Sequence, residues 1–195
     1  MTAGKGIMHC EMLETESIEG LQLWVNLSRR DKMCEPSYQE ADESELLKAE
    51  GDGVKVTIIA GTCLGETART ITRTPNYFLI VELGRGKTLN QEIPDGWNAI
   101  VYVLNGTVSI GNTKITRFQA GILTQNGELR VESSKRSQIC FDGWKTNRWA
   151  CSAIWIICYE HSWRSKTSLW WRQKLQKWVW SRQRMGIKDQ QLIIS

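Results

Sequence analysis

The chain has 195 residues, 41% hydrophobic and 24% charged, the size and make-up of one ordinary domain or of one complete and one partial domain. Its net charge of +4 conceals a split: residues 1–133 hold 13 Lys and Arg against 18 Asp and Glu, whereas residues 134–195 hold 12 against 3, and eight of the ten tryptophans lie between Trp144 and Trp180. No run approaches the ~20 apolar residues of a membrane helix, and the first residues lack the basic and apolar blocks of a signal peptide, so no membrane role is expected and an intracellular protein is.

In chain order, the first stretch with chemical content is "GIMHCEM", residues 6–12. In an extended strand His9 and Glu11 point to one face, so an imidazole and a carboxylate could converge on one metal ion. Next come "LQLWVNL" (21–27), the short helix-like "SELLKAE" (44–50), and three strand-like runs rich in Val, Ile, Leu and aromatics: "VKVTIIAG" (54–61), "YFLIVEL" (77–83) and "NAIVYVL" (98–104). "LNGT" (104–107) reads as an Asn-Gly hairpin with both central residues at positive φ, Gly84-Arg85-Gly86, Pro94-Asp95-Gly96 and Gly111-Asn112 read as turns, and one more strand is expected near Leu129–Glu132. Strands at this spacing, with Gly, Asn and Pro between them, predict an all-β sandwich or barrel. "GRGKT" (84–88) is a turn and not a phosphate loop, because the position of the first glycine is Val81 and no helix follows. In the tail, "SLWWRQKLQKWVWSRQR" (168–184) would place Trp171, Leu175 and Trp178 on one basic helical face, a pattern suited to acidic partners, anionic membranes or single-stranded nucleic acid.

The six cysteines, at 10, 34, 63, 140, 151 and 158, form no C-x-x-C pair, so free thiols are expected and neither a zinc knuckle nor a redox motif. The sequons at Asn26 and Asn105 are expected to be silent in that compartment. The only histidine besides His9 is His161.

"MTAGKGIMHCEM", "GLQLWVNL", "KMCEPSYQE", "TRTPNYFLIVEL" and "IPDGWNAIVYVLNG" together resemble the pirin family of the cupin superfamily, from Met1 to about Ser134. The resemblance implies an all-β fold, a piece of a bicupin built from double-stranded β-helix barrels, followed by an irregular or weakly helical tail. It divides the chain into residues 1–36, a remnant of the N-terminal cupin; 37–53, a linker; 54–136, an incomplete C-terminal cupin; and 137–195, a basic Trp-rich tail outside the family. His9 and Glu11 match the last two of four ligands to a non-haem iron, and a carboxylate in the place of Glu11 assists proton transfer. The first two ligands are histidines of an H-P-H motif on an earlier strand, which these residues do not include, so stable iron binding by this chain is not expected. The second barrel, metal-free in pirins, is expected to be filled by Val56, Ile58, Phe78, Ile80, Val101 and Val103, with Trp97 closing one end.

The tail has a second reading in the genetic code. Read one base later, Trp144-Lys145 and Trp155-Ile156 are forced to G-G-A and Trp149-Ala150 to G-G-G, all glycine. With the degenerate bases free, residues 143–162 can encode "AGKPIGGPVVQYGSFVMNT", similar to a late signature of the family, and "KWVWSRQRM" can encode "NGFGADREW", similar to its closing helix. Residues from about Ser137 are therefore expected to be out-of-frame text, which accounts for the tryptophans and the charge without selection for nucleic acid or membranes. An unselected tail should carry conflicts between local and global signals.

The resemblance implies a nuclear protein that acts as a cofactor of transcription regulators, with a G-protein α subunit as a further partner in plants, and neither nucleic acid nor membrane bound directly. The alternative it implies is an iron-dependent quercetin 2,3-dioxygenase, disfavoured by the two absent histidines.

Overall fold

Val54, Val56 and Ile58 alternate with Lys55 and Thr57, and that period-two pattern lays down the first long strand of a barrel. In this computed structural model the described residues are 1–8, 17–123, 127–145 and 157–162, with side chains described for all of these except 17–19 and 157–162. In chain order the strands are β1 (Ser17–Gln22), β2 (Leu47–Gly51), β3 (Val54–Ala60), β4 (Thr62–Cys63), β5 (Glu66–Thr67), β6 (Asn76–Leu83), β7 (Thr88–Ile93), β8 (Trp97–Asn105), β9 (Thr107–Ile110), β10 (Thr113–Thr116), β11 (Ala120–Leu123), β12 (Gly127–Ser133), β13 (Ser137–Lys145) and β14 (Ile157–Ser162). They fall into two units. In one, β1 and β14 pair antiparallel, with His161 opposite Ile18. The other holds every remaining strand.

That larger unit is an antiparallel barrel of two facing sheets, a six-stranded one in the order β11-β8-β13-β6-β3-β2 and a four-stranded one in the order β10-β9-β12-β7. Val56, Leu79, Val101 and Phe141 from the first meet Leu89, Val108, Leu129 and Val131 from the second in one core. Burying such side chains contributes roughly 1.5–3 kcal/mol each, which is what closes the barrel. Val56, Ile58, Val101 and Val103 are buried as expected, and Trp97 packs against the core edge. Phe78 and Ile80 are not in it: Leu79, Val81 and Leu83 take the inward positions of β6. "YFLIVEL" is apolar on both parities, so the pattern within the strand does not choose the face; the register with β3, Val81 opposite Val56 and Leu79 opposite Ile58, does.

Three further expectations are corrected. "SELLKAE" is no helix: Leu47–Gly51 is edge strand β2, joined to β3 by Asp52-Gly53 with φ of 46° and 73°. Both turn residues at positive φ make this a primed hairpin, as at Leu64-Gly65 between β4 and β5, with φ of 50° and 82°. Asn105-Gly106 is not a hairpin, since β8 and β9 belong to different sheets; only Gly106 has positive φ (84°), and there the chain crosses a barrel corner. A Cβ at Gly106 would lie 2.4 Å from Ser137 Oγ, so the corner has no room for a side chain. In "LQLWVNL" the strand ends at Gln22.

Strand β13 begins where the family resemblance stops, yet it lies between β6 and β8 in the middle of the six-stranded sheet. Ile139 and Phe141 are fully buried in the core. The Ser137 hydroxyl accepts from the Thr107 N–H at 3.0 Å and lies 3.0 Å from Thr107 O and 2.8 Å from Lys135 O, fastening the strand to the corner. Within the expected tail, β13 and β14 are thus strands; Trp171, Leu175 and Trp178 lie outside the described residues.

Candidate functional site

His9 and Glu11 lie outside the described residues. The segment just before them is tied to residues 34–37. Thr2 bridges Ser37, Lys5 N–H donates to Cys34 O at 2.9 Å, and Lys5 Nζ pairs with Glu35 Oε1 at 2.5 Å. Gly4, at φ 51°, sits where a Cβ would strike Cys34 O, so this close approach of two backbones requires glycine. The described segment ends at Met8, which is 99% exposed.

The other histidine, His161, is in β14, across from Ile18. Among the described residues no group of three His, Cys, Asp or Glu could hold a metal ion. One imidazole and one carboxylate are half of the four-donor set that the resemblance implies, so these residues alone do not fit such a metal.

The barrel interior offers little chemistry of its own. At one end the Tyr77 ring lies 5.0 Å from Trp97 and 5.9 Å from Phe141, centroid to centroid. Gly61 and Gly143 make room for it, since a Cβ at either would stand 2.3 Å or 3.0 Å from the ring. Burial, then the negative charge of Glu92 and Cys63, raises the Tyr77 phenol. Cys63 is buried and its thiol is pushed up to about 11, which keeps it from serving as a thiolate ligand or nucleophile near neutrality. Gln91, also buried, donates to Thr62 O at 3.2 Å and Glu92 O at 3.1 Å. The aromatic cluster is thus a plug for the barrel end.

The sequence reading missed Asp142. It lies on the opposite face of β13 from Ile139 and Phe141, a parity that ordinarily faces water, yet it is fully buried. Its Oδ2 accepts from Cys140 Sγ at 3.5 Å, and its Oδ1 has no partner. Burial pushes the carboxyl up to about 7, with the Cys140 contact pulling slightly the other way. Two residues on, Trp144 Nε1 is likewise buried without a partner.

Comparison with known proteins follows the same lines. No family model matches the chain. It is 42% identical over 144 residues to Pirin of Rattus norvegicus, covering 70% of this chain and 50% of the relative, and 50% identical over 104 residues to Pirin-like protein 2 of Arabidopsis thaliana, covering 53% and 32%. The chain therefore spans about half the length, or less, of the curated relatives it matches. Among solved structures, quercetin 2,3-dioxygenase from Acinetobacter baumannii superposes with a TM-score of 0.61 at 19% identity, over 84% of this chain and 55% of that one, a likeness of fold. By sequence and by its all-β barrel, the chain belongs to the pirin family of the cupin superfamily.

Proposed function

We propose that this chain acts as a pirin-like interaction protein, in the family's role as a nuclear cofactor of transcription regulators, and not as a working iron dioxygenase. The observation that carries this reading is the donor count. His9 and Glu11 supply two of four ligand positions, and the 195 residues hold one other histidine, His161. A site of two donors binds iron weakly, because affinity rests on the full ligand set held by a folded shell. Protein partners of the kind the family implies, transcription regulators or a G-protein α subunit in plants, fit a barrel whose interior is plugged by apolar side chains. Iron content of the purified chain tests the reading: below about a tenth of an equivalent is expected. Near-stoichiometric iron together with quercetin turnover would establish the dioxygenase reading instead.

We also infer that the chain leaves the family's reading frame shortly after Ser137. The two orphaned buried atoms, Asp142 Oδ1 and Trp144 Nε1, both fall in the first nine residues of the anomalous text. The codons explain both. Asp142 followed by Gly143 must read, one base later, A-T-G or A-C-G, methionine or threonine, and Trp144 followed by Lys145 must read G-G-A, glycine. The same shift that yields family-like text thus removes an unpaired charge and an unpaired indole from β13. Sequencing the transcript decides: a message whose one-base-shifted frame runs on as family text is expected, and one without it sinks the inference.

A further inference from the structure

We propose that the seating of β13 in the six-stranded sheet is controlled by the protonation of Asp142, so that this strand holds tighter as the pH falls and opens more readily as it rises. The geometry is that of an uncompensated charge in the centre of a sheet. By register Asp142 stands between Phe78 on β6 and Ile100 on β8, both apolar. One same-face step along, Cys140 stands between Ile80 and Tyr102, so within the sheet the Cys140 thiol and the Tyr102 phenol are the titratable groups one step from it on that face. One step further, Gln138 is opposite Glu82, whose carboxylate already pairs with Arg136 at 3.3 Å. Among the described residues no cationic side chain contributes to the charge state of Asp142, and its Oδ1 accepts nothing.

A neutral carboxyl in this place needs one hydrogen bond and has the Cys140 sulfur beside it. An ionised one is a bare charge among Phe78 and Ile100, relieved only by admitting water. Its position three residues before the end of β13 sets where that relief comes cheapest: the strand opens from Lys145 back toward Cys140 while Ile139 and Ser137 stay anchored.

Hydrogen exchange of the full chain tests this. Amides of residues 139–145 are followed at pH 6 and pH 8.5, after correction for intrinsic chemical exchange, with β3 amides as the internal reference. Opening of the wild-type strand should increase roughly tenfold between the two pH values relative to β3, the size expected for a carboxyl that titrates near neutrality when closed and at its ordinary value when open. Asp142→Asn, and independently Asp142→Leu, should abolish that increase while β3 is unchanged. A wild-type strand with pH-independent opening, or variants with the same tenfold change, would overturn the proposal.

Discussion

Asp142 is a single residue with a consequence large enough to measure on its own. Its folded value of about 7 lies above the ordinary 3.8, so the folded state binds the proton more tightly than the unfolded one. The penalty is absent below pH ~4, grows as the pH rises from there, and is complete above pH ~7. At 1.36 kcal/mol per unit, the gap corresponds to at most about 4 kcal/mol, a large share of a domain's ~5–15 kcal/mol. Asp142→Met should therefore raise the urea midpoint at pH 8, with most of the gain gone at pH 4. An equal gain at both pH values would assign the effect to packing and not to charge.

At the scale of elements, what could be read in the sequence was set by whether one face of a strand differs from the other. β3 was legible because Lys55 and Thr57 separate three buried residues, whereas β8, with Ile100, Tyr102 and Leu104 on the parity opposite Ala99, Val101 and Val103, was legible only as a strand. β6 was legible as a strand but not as a face, since Phe78 and Ile80 are as apolar as Leu79 and Val81. Corners failed for another reason. Asn-Gly has the local chemistry of a hairpin, but whether a glycine turns the chain back on its own sheet or carries it to the facing one is decided by distant pairing, here β8 with β13 and β9 with β12. β13 was the hardest case: its register is held by Ser137, Ile139 and Phe141, while Asp142 and Trp144 contradict it. Of the candidate site, His9 and Glu11 lie outside the described residues, and Asp142 was not readable, because the face it occupies is ordinarily wet.

For the whole molecule, the charge split and the orphaned atoms have one origin under the frame-shift reading, and that ties them to a single manipulation. Residues 134–195 carry an excess of nine positive charges, far from the balance of −5 in the preceding 133. Self-repulsion in the basic segment and the bare carboxylate in β13 both act against the compact state. Deleting one base ahead of the Asp142 codon exchanges Asp142 for Met or Thr and Trp144 for Gly, and rewrites every position beyond. Each kcal/mol recovered raises the melting temperature by roughly 2–4 °C in a chain of this size class. The restored chain should therefore melt at least about 10 °C higher than the present one by differential scanning calorimetry at pH 8. If it melts at the same temperature or lower, the text beyond Ser137 is suited to this barrel as it stands, and the shifted-frame origin of β13 loses its physical support.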